Sequence, residues 1–247
     1  MTALEVFKQS LTFYTRLFNK LIGLSVASSI APLLVLGAGG TGQPSALAVL
    51  LIGATSMFFS VYMMALIHQF SVHQDDSLKE AFSLTLQKVL PVTLTGVVFG
   101  LLIMLAIFPG AIVATMLAAS IENEYLKNVF MGIIIAIPVA LIMYRCFFAA
   151  YFTLVDGLNP FEALKASNRQ VKGNKLIFRG FMLLSGVMAI YLLMLILFNM
   201  MIAVNPMALG VLEFFLNVVV MPFFSVFIYR LFALTKGANS QDEDASC

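Results

Sequence analysis

The sequence predicts an all-α integral membrane protein, in which six transmembrane helices form three parallel-repeat hairpins. Two observations predict the membrane class and a third predicts the repeat. Hydrophobic residues make up 61% of the 247-residue chain and charged residues only 11%, against about 45–50% and about 25% in soluble domains. The apolar residues also fall in runs of about 18 or more, the length that crosses a bilayer as a helix. In addition, one helix-start signal occurs at three places along the chain.

Six apolar runs are the predicted transmembrane spans. They cover residues 21–38, 46–68, 90–118, 128–152, 177–203 and 207–232. The turn after the first span, from Gly37 to Gly42, has the G-x-G-x-x-G spacing of dinucleotide-binding turns. That fingerprint requires a strand before it, within a βαβ unit. A membrane helix precedes it here, so the glycines are interpreted as a tight turn and no cofactor is predicted.

The placement of charge predicts the orientation of these spans. Of the 14 Lys and Arg residues, all but Lys127 fall on one side of the membrane in the six-span arrangement. The positive-inside rule assigns that side, with both chain termini, to the cytoplasm. Because the basic residues lie next to the membrane, anionic phospholipid is a predicted partner, and no binding of nucleic acid is predicted.

The repeated helix-start signal is a capping residue followed three positions later by glutamate. It occurs in the segments Thr2-Ala3-Leu4-Glu5, Ser77-Leu78-Lys79-Glu80 and Asn159-Pro160-Phe161-Glu162. In such a capping box the first side chain accepts from an orphan helix N–H, and the glutamate reaches back to the N–H of the cap. Each signal predicts a short cytoplasmic amphipathic helix ahead of a transmembrane hairpin.

These signals divide a single polytopic membrane domain, residues 1–236, into repeats of about 1–74, 75–156 and 157–236. The second and third repeats align without a gap when Ser77 is matched to Asn159. All three have the same direction, which predicts a pseudosymmetry axis along the membrane normal. Residues 237–247 are polar and are predicted to form a disordered cytoplasmic tail.

The amphipathic helix of the third repeat carries the clearest surface pattern. Charged residues recur every three or four positions and predict one polar stripe, formed by Glu162, Lys165, Arg169 and Lys172. The opposing, imperfectly apolar face is predicted at Phe161, Leu164, Asn168 and Val171. Such a basic amphipathic helix is suited to the headgroup region, and Gly173-Asn174 predicts its end.

Two interpretations of this helix stay open. It either only anchors and joins two spans, or it also forms a docking surface for an anionic lipid or a protein partner. The candidate contact residues of that surface are Lys165, Arg169, Lys172, Lys175 and Arg145. Arg145 lies near the cytoplasmic end of the fourth span, within reach of the headgroups, and Asp156-Gly157 is predicted to form the turn into the helix.

Residues around this helix carry a resemblance to a known family. They are the run from Leu154 to Ser167, LVDGLNPFEALKAS, then Lys172-Gly173-Asn174, and Phe108-Pro109-Gly110 in the third span. With them the chain resembles the YciC-type family of bacterial inner-membrane proteins, and its length and six-span layout agree. A similar pattern occurs in membrane domains attached to some glycerophosphodiester phosphodiesterases. The resemblance implies a Gram-negative inner-membrane protein tied to envelope homeostasis, and it supplies no catalytic residues.

The sequence contains no recognisable catalytic constellation, such as a Walker sequence, HExxH or a Ser-His-Asp arrangement. His68 and His73 are the only histidines. With Asp75 and Asp76 they are interpreted as part of a solvated loop rather than a metal site. The chain is therefore predicted not to be an enzyme and to hold no metal.

Polar residues inside the predicted spans form a second candidate site. Glu213 lies in the outer half of the sixth span, Asn217 follows four residues later on the same face, and Asn199 of the fifth span is placed to meet Glu213. A charge at mid-bilayer costs roughly 2.5–3.5 kcal/mol, so such groups are usually paired or functional. These residues either hold helices together or form a proton- or substrate-linked site.

Prolines in the spans supply the last pattern. Pro109-Gly110, Pro138 and Pro222 are predicted to kink or break spans three, four and six. Broken helices near the midplane are one way in which transporters build binding sites. The glycines of Gly96-x-x-x-Gly100 in the third span allow close contact between helices, which leaves a homo-oligomer open.

Two hypotheses for function result. The first is a non-enzymatic inner-membrane protein of the bacterial envelope that binds lipid or anchors a partner complex at its cytoplasmic face. The alternative is a small permease or channel that uses the proline-broken helices and the intramembrane carboxylate of Glu213.

Overall fold

The computed structural model describes residues 2–38, 45–74, 77–119, 121, 123–201 and 206–244. Within those ranges the regular structure is entirely helical, which confirms the predicted all-α class. The helices are α1 (Ala3–Ala38), α2 (Ala46–His73), α3 (Leu78–Ala118), α4 (Glu124–Arg145), α5 (Ala149–Asp156), α6 (Pro160–Val171), α7 (Lys175–Met201) and α8 (Pro206–Asp244).

Several of these helices are long and apolar enough to cross a membrane. Among the described residues four segments qualify: Ala46–His73, Leu78–Ala118, Leu126–Asp156 and Val218–Gly237. A fifth is added if α6 and the segment Lys175–Tyr191 of α7 are counted as one span. The membrane class is therefore supported by four or five spans in the described residues, and the six predicted spans stay a prediction.

Helices α1, α3 and α6 begin at the three predicted capping residues. At α1 the capping box is closed in both directions: the Thr2 N–H donates to Glu5 Oε2 at 2.9 Å, and the Glu5 N–H donates to Thr2 Oγ1 at 3.3 Å. The caps Ser77 and Asn159 each accept from the N–H three residues on, at 3.5 Å and 3.0 Å. The starts of these helices are thus set by local hydrogen bonds that the sequence predicted.

Only the third start signal is followed by a separate short helix. α6 is 12 residues long, and beyond it Gly173 takes a φ of +78°, the left-handed conformation that terminates helices. α1 and α3 instead continue for 36 and 41 residues, so the first two predicted short helices are not separate elements. Pro91 matches Gly173 in the second repeat, but it lies inside α3 and supplies no left-handed stop.

Helix α8 also extends further than predicted. It ends at Asp244, so residues 237–244 are helical where a disordered tail was expected. The polar composition of this segment does not prevent a helix, because it contains no proline and follows directly from an apolar helix.

The chain divides into two compact units. The first contains Met1–Leu90 and Lys175–Cys247, and the second contains Pro91–Asn174. These boundaries do not follow those of the predicted repeats. The three repeats and the single membrane domain both stay predictions.

In the first unit α1 packs against α2, α7 and α8. The interior is formed by large, fully buried apolar side chains, among them Leu17, Leu21, Leu66 and Phe227. Helix α7 approaches α8 closely at Gly180, where a Cβ would lie 2.7 Å from Leu231 Cδ2. A small residue opposite a large one is a common way for membrane helices to pack.

In the second unit α6 packs against α4 and α5. Phe148 and Leu154 from α5 and its N-terminal flank are buried there with Ala163 and Val171 of α6. Thr95 of α3 and Thr153 of α5 share a buried hydrogen bond between their hydroxyl oxygens, at 2.8 Å. This packing holds the basic helix α6 in one position within its unit.

Candidate functional site

Helix α6 has one buried face, and part of it differs from the prediction. Leu164 and Val171 are buried as predicted, with 8% and 1% of their surface exposed. Phe161 is instead 73% exposed, whereas Ala163 and Ser167 are fully buried. The prediction placed this face by hydrophobicity alone. Small side chains occupy it because they let α6 approach its neighbours closely.

Ser167 fastens α6 to the junction between α4 and α5. Because α4 ends at Arg145 and α5 begins at Ala149, backbone groups near this junction lack helical partners. The Ser167 hydroxyl donates to the Arg145 carbonyl oxygen at 2.9 Å, and its oxygen accepts from the Phe148 N–H at 3.0 Å. One buried side chain thus satisfies a donor and an acceptor at the break.

Both ends of α6 are fixed as well. Gly157 ends α5 in the left-handed conformation, which is the turn predicted at Asp156-Gly157. Near the C-terminal end of α6, the Tyr144 hydroxyl donates to the Val171 carbonyl oxygen at 3.3 Å. The helix is therefore preceded by a defined turn and is bonded to its unit at its middle and near its end.

The predicted contact residues lie on the exposed side of this structure. All five are exposed: Lys165, Arg169, Lys172, Lys175 and Arg145. Asn168, which was predicted on the apolar face, is also exposed. Within the described residues no carboxylate forms an ion pair with any of the five basic side chains. Lys175 belongs to the first unit. We call the four residues of the second unit, Lys165, Arg169, Lys172 and Arg145, the α6 basic surface.

The electrostatics of the α6 basic surface favour an anionic ligand. None of its charges is in an ion pair with a described carboxylate, although Glu162 belongs to the same helix. Long Lys and Arg side chains also adapt to a lipid surface. A basic residue near an anionic membrane surface contributes about 1 kcal/mol. The arrangement is suited to phosphate groups.

The second candidate site falls largely outside the described residues. Glu213, Asn217 and Asn199 belong to α8 and α7, but their side chains are not among those described. The interpretation of these residues as a proton- or substrate-linked site, and the permease hypothesis that depends on it, stay predictions.

The predicted helix breaks lie inside continuous helices. Pro109 with Gly110 lies within α3, Pro138 within α4 and Pro222 within α8, so none of them ends a helix. A proline removes one N–H donor, and groups nearby can satisfy the freed carbonyl. Of the predicted kinks or breaks, a kink at each proline therefore stays a prediction. The structure brings two of these sites together, since a Cβ at Gly110 would lie 3.6 Å from Pro138 Cγ.

The break that the structure does contain was not predicted. It lies at residues 146–148, between α4 and α5. These residues are Cys-Phe-Phe, and they include no glycine, proline or other turn former that would mark the position. Ser167, nineteen residues after Phe148, forms hydrogen bonds to both sides of the break.

The histidines do not gather metal ligands in the described structure. His68 Nδ1 lies 3.0 Å from the Tyr229 hydroxyl oxygen, and His73 is exposed. Asp75 and Asp76 lie outside the described residues. In the part of the chain that is described, no three His, Cys, Asp or Glu side chains are grouped as a metal site requires.

A cleft in the first unit was missed by the sequence analysis. Helices α1, α2 and α8 line a cavity of about 310 Å³, whose walls include Gln9, Phe13, Arg16, Phe70, Gln74 and Arg230. These residues come from three helices that are far apart in the chain. No spacing in the sequence connects them, so only the fold reveals the cleft.

Comparison with known proteins adds no relative from which a role can be inferred. No protein-family model, no curated protein and no solved structure gives a significant match to this chain.

Proposed function

We propose that this chain is a non-enzymatic inner-membrane protein of the bacterial envelope, of the YciC-type family, that binds anionic phospholipid at its cytoplasmic face. The single observation that carries the proposal is the α6 basic surface. Its side chains are exposed, while the opposite face of α6 is buried in its own unit. A protein partner with an acidic surface is the alternative occupant of the same residues.

The proposed topology has six spans with both termini in the cytoplasm, arranged as three parallel repeats. Two sets of positions that match between the repeats support the repeat arrangement. Each set is fully buried in all three repeats: Val6 with Ala81 and Ala163, and Ser10 with Thr85 and Ser167.

The hydroxyl groups at these positions behave alike in the first two repeats. Ser10 donates to the Val6 carbonyl oxygen and Thr85 donates to the Ala81 carbonyl oxygen, both at 2.7 Å. In the third repeat the equivalent Ser167 has turned to the α4–α5 junction instead. Repeats that have acquired different roles are expected to share such positions, with a different hydrogen bond in one of them.

The fixed position of α6 matters for binding. When a lipid headgroup binds to cations that are already in position, no entropy is lost in ordering the helix. More of the electrostatic attraction therefore contributes to affinity. At about 1 kcal/mol for each residue, Lys165, Arg169 and Lys172 together change affinity by on the order of 100-fold.

The proposal is tested with nanodiscs of phosphatidylcholine that contain phosphatidylglycerol. Native mass spectrometry counts the phosphatidylglycerol molecules that the released protein retains. We expect the variant K165Q/R169Q/K172Q to retain fewer phosphatidylglycerol molecules. A higher salt concentration should lower retention by the wild-type protein in the same way.

A charge-conserving variant, K165R/R169K/K172R, is the matched control and should retain the lipid. Equal retention by the wild-type protein and the neutralised variant would contradict the proposal. If neutralisation releases a co-purifying protein and leaves lipid retention unchanged, the partner-anchoring alternative replaces it.

A further inference from the structure

The cleft between α1, α2 and α8 contains an arginine that is held in place. The Nη2 atom of Arg230 donates to Gln9 Oε1 at 3.2 Å. The guanidinium carbon lies 5.7 Å from the centroid of the Phe13 ring, within the range of a cation–π contact. Two neighbours on α1 therefore orient the guanidinium of Arg230 before any ligand arrives.

One donor of this guanidinium is left over. The Nε atom of Arg230 is buried and has no hydrogen-bond partner. A buried donor without a partner is unfavourable, and more so when it carries charge. Arginine presents its N–H groups as a planar fork that matches phosphate and carboxylate oxygens. The guanidinium of Arg230 therefore suits an anionic ligand, although its covered Nε atom is not itself open to the cleft.

The charge of the cleft is uncompensated among the described residues. Arg16 lines the same cavity and is exposed. Neither arginine forms an ion pair with a described carboxylate, and the described lining contains no acidic residue. Asp75 and Asp76 follow Gln74 in the chain and lie outside the described residues.

The lining of the cleft also includes two aromatic rings. Phe13 of α1 and Phe70 of α2 stand edge to face, with ring centroids 5.1 Å apart. The polar side chains of Thr12, Ser71 and Gln74 also line the cavity. A cavity with two arginines beside an aromatic wall fits a ligand in which a phosphate is joined to an apolar chain.

The position of the cleft in the proposed topology agrees with that ligand. Arg16 precedes the first predicted span, Phe70 follows the second, and Arg230 is close to the end of the sixth. All three flanks are the cytoplasmic ends of their spans, which is the depth of the phospholipid headgroups.

We propose that this cleft binds the phosphate group of a single anionic phospholipid between Arg230 and Arg16. This site is formed by residues other than those of the α6 basic surface and belongs to the other compact unit. It therefore goes beyond the proposed function: one lipid would be held in a defined cavity, in addition to those attracted to an exposed helix.

The test uses the full-length protein in phosphatidylcholine nanodiscs that contain phosphatidylglycerol, with native mass spectrometry as the readout. We expect R230Q and R16Q to lose one tightly retained phosphatidylglycerol, with an affinity lower by on the order of 10-fold. R179Q is the matched control, because Arg179 is an exposed arginine of the same unit outside the cleft lining. Since Arg16 is exposed, R16Q keeps the test valid even if R230Q does not fold.

Three results would overturn the proposal. The first is equal retention of phosphatidylglycerol by R230Q, R16Q and R179Q. The second is displacement of the lipid by inorganic phosphate, which would assign the cleft to a soluble anion. The third is tight retention only in D75N/D76N, because the carboxylates of the chain itself would then occupy the cleft. The K165Q/R169Q/K172Q variant should keep this lipid, so failure of one site is distinguishable from failure of the other.

Discussion

Tyr14 of α1 donates its hydroxyl to the carbonyl oxygen of Val219 in α8, at a distance of 2.9 Å. Val219 directly follows Val218, whose carbonyl loses its helical donor because Pro222 has no N–H. The side chain of a neighbouring helix thus supplies a donor at the turn that the proline weakens. The contact lies one residue from the carbonyl that lacks its donor and supports α8 where the helix continues through Pro222.

Replacement of Tyr14 by Phe should lower the free energy of unfolding by about 1 kcal/mol, because the hydrogen bond to Val219 is lost. Unfolding by SDS in mixed micelles measures the change. The same substitution should matter less in a P222A background, where a regular helical bond returns. A cost that is equal in both backgrounds would show that Tyr14 does not act through the proline.

Replacement of Ser167 by Ala should be more damaging, by about 1–3 kcal/mol, because a buried carbonyl and a buried N–H both lose their partner. Ser185→Ala is the control, since Ser185 is exposed and surface changes usually stay within about 0.5 kcal/mol. Hydrogen exchange should also become faster at the Phe148 amide. If the exchange rate is unchanged, the junction is held by something other than Ser167.

The two predicted apolar residues of α6 should respond differently to truncation. Leu164→Ala removes a buried side chain and should cost about 2–5 kcal/mol. Phe161→Ala removes a side chain that is 73% exposed and should change stability by no more than about 0.5 kcal/mol. SDS titration of the two variants measures both changes in stability. A larger loss for Phe161→Ala than for Leu164→Ala would instead support the buried face predicted from hydrophobicity.

A glycine should be required at position 173 because of its backbone conformation and not because a larger side chain would clash. Its φ is +78°, and a Cβ at this position would have nothing within 4 Å, so Gly173→Ala should cost about 1–2 kcal/mol through left-handed strain alone. Gly186 is equally open but has no positive φ, and Gly186→Ala should leave stability unchanged or raise it. SDS unfolding compares the two variants, and equal stability changes would argue against a strained turn after α6.

The sequence predicted the features that depend on neighbours within three or four residues. The caps at Thr2, Ser77 and Asn159 are of this kind, as is the left-handed end of α5 at Gly157. Each is a bond or dihedral angle that the local residue types favour regardless of the rest of the chain.

The sequence did not predict the features that depend on distant partners. The break at 146–148 is completed by Ser167, and the cleft joins Arg230 to Gln9 across most of the chain. Phe161 was assigned to the buried face because it is apolar, yet in a membrane protein the surrounding lipid accepts apolar side chains as well as the interior does. Hydrophobicity therefore marks what avoids water, and packing decides what is inside.

The attachment of α6 through Ser167 has a consequence for how the protein responds to its surroundings. A helix that is held at a membrane by charge alone detaches when salt screens the attraction. α6 cannot leave in this way, because detachment would also expose the serine and the junction that it closes. If the α6 basic surface binds anionic lipid as proposed, a change in ionic strength should alter how much lipid it binds, while the helix itself stays in place.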